Sequence, residues 1–299
     1  MLKKIKYYQL AKEIFDIGGN IVQKLMSIGV DKSDCIEIAY EIQAGSYTTA
    51  FHKSDFGANR NSVLHKIIKQ YSDRDEVSSV GVFGVGEAVN WIGFDGVIAD
   101  FYGVELSYSR LRYARSNVSK IESIKKSAFI KGDASETIFE PNSFDLTMTL
   151  HSIEPNGDVQ GEKILRNVIN CSSKYIILFE PDYSSAPNAM KERMKSHNYV
   201  CNIEQVISNL QNVSVVDKFL LDIQENDDNT TTCWVLRKKH MKPSGSGKLV
   251  CPYSNGSLID FANVKYSPEA GLVYPIIDDI MFINKSDAVF IGGKDLENL

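Results

Sequence analysis

Hydrophobic positions along this chain change their period once, near residue 75. Before it, apolar residues recur three and four positions apart, as at Leu10, Ile14, Ile17 and Ile21, and this spacing predicts helices over 7–29, 31–51 and 61–73. After it, short β-branched or aromatic runs alternate with helical stretches. The runs predict strands at 78–83, in the latter half of 96–106, and at 127–133, 144–150, 174–180, 213–221 and 230–239. The stretches between them predict helices at 109–121, 160–171 and 202–211. Strands alternating with helices call for a parallel sheet covered on both faces. Only "DIQENDDNT" separates the last two runs, so those two should pair as an antiparallel hairpin. The chain thus divides into a helical cap (1–75), an α/β domain (76–240), a polar Pro/Gly/Ser-rich linker (241–248) and a small tail (249–299).

Composition narrows the class. With 43% hydrophobic and 24% charged residues the chain reads as an ordinary globular protein. A net charge of −5 offers nucleic acid no global attraction. The five cysteines are scattered without close pairs, as reduced thiols in a cytoplasmic protein would be. The first residues, "MLKKIKYYQLAKEIFDIGGN", are interrupted by Lys12, Glu13 and Asp16 and read as an amphipathic helix, not a signal peptide. No stretch is apolar enough to cross a bilayer. The expected partner is a small molecule, with neither nucleic acid nor membrane.

The candidate chemistry begins at "VGVFGVGEAVN", a strand, a glycine turn and residues able to open a helix. Gly84 and Gly86 start a dinucleotide fingerprint, but Val89 stands where the third glycine belongs, and no Gly-Lys-Ser/Thr follows. Glu105 ends the second strand, Asp133 the third, and His151 follows the fourth. Sheets of this kind bind ligands outside the carboxyl ends of their strands, which would gather these residues along one edge.

In these residues the chain resembles class I S-adenosylmethionine-dependent methyltransferases, over roughly residues 40 to 240. The resemblance implies a Rossmann-like seven-stranded sheet whose last strand is antiparallel, and S-adenosylmethionine as cofactor. It places Gly84 and Gly86 against the methionine part, Glu105 on the ribose with Leu106 beside it, and Asp133 with Ala134 around the adenine. Leu150 and His151 would open the loop lining the methyl group. One position departs from the family: an acid usually stands two residues before the first glycine, and here it is Val82. Either another group, such as Glu87 or a residue of the cap, takes over its contact, or cofactor binding is weakened. "YEIQAGSYTTAF" resembles the segment that closes a tyrosine over the cofactor, with Tyr47, Gln43 and Tyr40 as the set.

Methyl transfer asks the protein mainly to align the acceptor and exclude water. A hydroxyl acceptor must also lose a proton, which suits a group of near-neutral pKa. "HSIEPNG" offers His151 as base, with Glu154 to orient it or to bind an acceptor amine, and Asn156 nearby. "FEPDYSS" adds Glu180, Asp182 and Tyr183, of which Tyr183 joins the candidate catalytic set. No metal-ligand spacing occurs among the histidines.

The tail resembles the small zinc-ribbon activator subunits of tRNA and release-factor methyltransferases, through "LVCP" and "YPIIDDI". Its ligands are reduced to Cys251, with Ser254 where a thiolate would stand, so the tail should fold without zinc. Packing of Leu249, Leu258, Phe261, Leu272, Tyr274, Ile276, Ile280 and Phe282 would replace the metal. The tail would dock, either over the acceptor site or as a homodimer contact. Methyltransferases with such tails occur in surface-carbohydrate synthesis, which points to a sugar or sugar-derived acceptor, methylated at O or N. A protein or tRNA methyltransferase and a non-catalytic cofactor-binding module are the competing readings, and a nicotinamide enzyme ranks last.

Overall fold

The computed structural model describes residues 2–292 apart from 225, 244 and 246. Five helices come first: α1 (Leu2–Asp16), α2 (Ile21–Ser27), α3 (Lys32–Gln43), α4 (Ser46–Phe51) and α5 (Asp55–Ser72). Asn20 and Asp31 cap α2 and α3, their side chains accepting N–H bonds at 2.9 Å from Gln23 and Ser33. Helices α1 to α3 bury Ala11, Leu25, Cys35 and Ala39 in a small core of their own. Helix α5 does not belong to that cap. Its Leu64, Ile67, Ile68 and Tyr71 pack on Val80 and Val82 of the sheet, so the helical segment expected as one unit is divided between two cores.

The alternating part follows as β1 (Ser79–Phe83), β2 (Asp100–Glu105), α6 (Tyr108–Val118), β3 (Lys126–Lys131), β4 (Phe144–Leu150), α7 (Gly157–Cys171) and β5 (Ser172–Glu180). Helices α8 (Asn188–Ser196) and α9 (Ile203–Ser208) and strands β6 (Val213–Leu220) and β7 (Thr232–Lys238) complete it. The seven strands lie in the order β6-β7-β5-β4-β1-β2-β3. Strands β1 to β5 are parallel where they pair, and β7 is antiparallel to both β5 and β6, as the missing crossover helix required. Side chains alternate between the two faces. On β5, Tyr175, Ile177 and Phe179 enter the core beneath α5 and α6, while Ile176 and Leu178 enter that of α7 and α9. This is the α/β architecture with helices on both faces that the alternation demanded.

Two features differ from expectation. Between β1 and β2 there is no α-helix, only one 3-10 turn, Val89–Trp91. Helix α5 supports it from outside: Asn61 Nδ2 donates to the carbonyls of Val89 at 2.7 Å and Ile92 at 3.0 Å, and His65 Nε2 meets that of Asn90 at 2.8 Å. The second difference is the tail. Its strands β8 (Ile259–Phe261), β9 (Val264–Ser267), β10 (Leu272–Ile277), β11 (Ile280–Phe282) and β12 (Val289–Phe290) do not form an appendage. Strand β11 pairs parallel to β3, with Ile280 opposite Phe129, and β10, β9 and β8 continue the same sheet. An edge strand left open would offer unpaired backbone groups, and the tail covers this one. Leu249, Cys251, Tyr274 and Ile283 complete the core under β2 and β3. Glu140 N donates to Lys248 O at 3.0 Å, which lays the end of the linker against the domain.

Candidate active site

A cleft of about 1190 Å³ opens along the carboxyl edge of the parallel strands. Ligand pockets commonly span about 300–1,000 Å³, so this one has room for a cofactor and an acceptor together. Its floor is the turn after β1. Gly84 and Gly86 adopt φ of +72° and +56°, a region L side chains rarely enter. The N–H groups of Gly84 and Val85 bond back to Val104 O at 2.8 and 3.0 Å, which folds the turn against β2. Glu105 locks it from the other side: one carboxylate oxygen accepts Gly86 N at 3.0 Å and the other Ser107 N at 3.1 Å. Glu87 is spent on a different task. Its carboxylate accepts Gly45 N at 2.9 Å, Thr48 N at 2.7 Å and Thr48 Oγ1 at 2.6 Å, capping α4 and tying it to the turn.

After β3, Asp133 and Ala134 line the cleft. One oxygen of Asp133 accepts Ser135 N at 2.8 Å, and its own N–H donates at 2.5 Å to Asn284 Oδ1 from the tail. After β4, Leu150, His151 and Ser152 form the facing wall. His151 Nδ1 lies 2.5 Å from Glu154 Oε2, and its Nε2 lies 2.6 Å from Thr231 Oγ1. Burial works to lower the imidazole pKa, but the hydrogen bond and charge of Glu154, aided by Glu180, outweigh it and raise the value. Glu180 is fully buried beneath this loop and accepts the N–H groups of Ser152, Ile153 and Glu154 at 3.1–3.2 Å. Burial pushes its pKa up to about 7.

The same fold recurs in solved structures. Magnesium protoporphyrin IX methyltransferase of Synechocystis with bound SAH superposes at TM-score 0.55 and 10% identity, over 70% of this chain and 100% of that one. With SAM bound, the same enzyme superposes at 0.52, again at 10% identity, over 71% and 99% of the two chains. The N-methyltransferase NodS of Bradyrhizobium japonicum with S-adenosyl-L-homocysteine reaches 0.50 at 12% identity, over 64% and 91%. No curated protein matches the chain in sequence. Residues 80–168 do match a protein family, described as a methyltransferase domain. The chain carries a methyltransferase domain. The fold is the one that these SAM- and SAH-bound methyltransferases share.

Within the methyltransferase domain and its cap, the cleft brings together Tyr40, Tyr47, Gly84, Gly86, Glu87, Glu105, Leu106, Asp133, Ala134, Leu150, His151 and Asn156. Three expected contacts need correction. Glu87 borders the cleft, but both its oxygens hold α4, so it does not replace the acid missing at Val82. Gln43, the last residue of α3, is not among the lining residues. Tyr183 is not either: it packs beside Met190 and Tyr199, with Lys191 and Lys195 against its ring, which holds it away from the cleft. Asp182 is held by Lys218 at 2.9 Å and by Ser184 and Ser185, a structural arrangement. Glu154 stands behind His151 and also receives Asn229 Nδ2 at 3.3 Å, as an orienting group does.

Sequence reasoning missed several wall residues. Arg110 of α6 and Arg60 of α5 line the cleft, as do Asn226, Asn229 and Thr231 from the β6–β7 connection. Topology was the available signal for the last three. Because β7 runs antiparallel, its first residues must lie at the carboxyl edge beside His151. Among the described residues, no group of three or more His, Cys, Asp or Glu side chains is placed to hold a metal ion.

Proposed function

We propose that this enzyme transfers the methyl group of S-adenosylmethionine to a hydroxyl of a small, polar, sugar-like acceptor, with His151 as the base. The cofactor, when bound, supplies a methyl group already activated on a sulfonium. What remains for the chain is to bind, orient and deprotonate. Glu105 and Asp133 present carboxylates at the ends of β2 and β3, where a ribose and an adenine amine would be taken, and Leu106 and Ala134 are apolar neighbours for the base. The residues thus fit the cofactor except at Val82, which is buried in the sheet core.

The observation that carries the acceptor reading is the Glu154–His151–Thr231 chain at the cleft wall. A carboxylate on Nδ1 fixes the tautomer that leaves Nε2 to accept a proton, and it raises the ring's basicity. Thr231 Oγ1 holds Nε2 at 2.6 Å, at the position an acceptor hydroxyl would take. Asn156, Gln160, Asn226 and Asn229 line the same region and suit a ligand rich in hydroxyls. The tail, on this reading, is a ribbon that has replaced metal by packing: Cys251 Sγ lies 3.3 Å from Tyr274 Oη, and Ser254 lies 3.5 Å from Ser267.

The test is methyl incorporation from labelled S-adenosylmethionine into a panel of sugar nucleotides, free sugars and amines. Incorporation into a hydroxylated acceptor should fall about a hundredfold or more in His151→Ala, with cofactor affinity unchanged. Transfer confined to amines, or to protein or tRNA, would overturn the acceptor assignment.

A further inference from the structure

We propose that Arg110 holds the carboxylate of the cofactor's amino-acid end, so that this chain grips that end by its negative group. The inference rests on the S-adenosylmethionine reading above and adds a residue to it. Arg110 opens the first turn of α6, where its backbone N–H is bonded to the capping Ser107. Its side chain turns back into the cleft, which it lines at only 9% exposure. There it lies within cation–π distance of two tyrosines, with the guanidinium carbon 4.4 Å from the ring centre of Tyr40 and 4.8 Å from that of Tyr47.

What the guanidinium lacks is an acceptor. Nε is buried without a hydrogen-bond partner. The nearest carboxylate oxygen, Glu105 Oε2, is 4.0 Å from Nη1, beyond hydrogen-bond length. Glu105 already receives Gly86 N and Ser107 N on its two oxygens. A buried guanidinium whose Nε has no acceptor, and whose ion pair with Glu105 is too long for a hydrogen bond, is costly, and an anion delivered into the cleft would satisfy it.

Its position selects which anion. Nη2 stands 2.7 Å from where a Cβ on Gly86 would lie, so the guanidinium rests against the second glycine of the turn. That is the wall the methionine part of the cofactor should face. The cofactor carries a sulfonium, an ammonium and a carboxylate, and only the last is negative. The fork of a guanidinium matches a carboxylate in two parallel bonds. Val82 fits the same account. With no acid at that position, recognition of the ammonium is given up, and recognition of the carboxylate takes its place.

Calorimetric titration of the full chain tests this with S-adenosylhomocysteine, its decarboxylated form, which keeps the ammonium, and methylthioadenosine, which lacks the amino-acid end. The wild type should bind S-adenosylhomocysteine at least about tenfold more tightly than the decarboxylated form. Arg110→Met should lose about 10- to 100-fold for S-adenosylhomocysteine alone. Arg110→Lys, which keeps charge without the fork, should fall between. Equal losses for all three ligands would make Arg110 a clamp for Tyr40 and Tyr47 and overturn the proposal, as would a wild type indifferent to the carboxylate. A wild type that takes up none of the three removes the cofactor reading itself.

Discussion

Gly84→Ala probes the joint on which the site is built. At φ +72° an L side chain pays about 1–2 kcal/mol for the left-handed backbone. The new Cβ would also stand 2.2 Å from the Cβ of Ser152 and 2.8 Å from its Oγ. Ser152 cannot yield by rotating, because the atom it offers is its own Cβ. Its backbone is pinned by Glu180 at 3.1 Å, and its hydroxyl donates to Phe83 O at 2.8 Å. Overpacking of this kind costs about 1–3 kcal/mol, so the substitution should destabilise the fold by roughly 2–5 kcal/mol in all. Equilibrium urea unfolding measures this as a lower midpoint. A double-mutant cycle then separates the two contributions. Ser152→Gly removes the opposing Cβ at a cost of about 1 kcal/mol for its hydrogen bond. The double variant should therefore be about 1–3 kcal/mol more stable than the sum of the singles predicts, with the backbone cost remaining. A loss below about 1 kcal/mol for Gly84→Ala, or a coupling near zero, would refute the close approach of the glycine turn to the β4 loop.

Glu105→Ala should weaken S-adenosylhomocysteine binding about 10- to 100-fold by calorimetry, since a charged pair of acceptors for the ribose is lost. Unaltered affinity would remove Glu105 from the cofactor site. Neutral His151 is the form that accepts a proton, so turnover should rise with pH through its raised pKa, with the acid limb above the ordinary 6.5. Glu154→Gln removes the larger interactions that raise that pKa and leaves the burial that lowers it, with only Glu180 still raising it, so the limb should move to lower pH; a limb that stays in place would detach Glu154 from His151. Because a raised folded pKa stabilises on the acid side and that contribution fades as pH climbs through it, Glu154→Gln should narrow its stability gap to wild type as pH rises. The tail should hold no zinc, and a strong chelator should leave the unfolding midpoint unchanged; stoichiometric zinc whose removal melts the fold would overturn that expectation.

Much of the site was legible in the sequence because its parts are local. Short β-branched or aromatic runs specify strands buried on both faces, helical spacing marks the covers between them, and a parallel sheet must carry its ligands at the carboxyl edge. Gly84, Gly86, Glu105, Asp133 and His151 fall there by chain order alone. The absence of a helix between 221 and 231 likewise dictated the antiparallel β7. Tertiary structure decided what depends on segments far apart in sequence. Thr231 meets His151 across 80 positions, Asn284 meets Asp133 across 151, and Glu87 turns to cap α4 rather than to face a ligand. The tail's place in the sheet was invisible for a related reason: pairing at an open edge is made by backbone groups, which every residue but proline carries, so no side-chain pattern announces it. Arg110 was hidden because helical spacing reports which face of α6 is buried. It does not report that one long charged side chain folds back from that face, between two tyrosines of the cap, into the cleft.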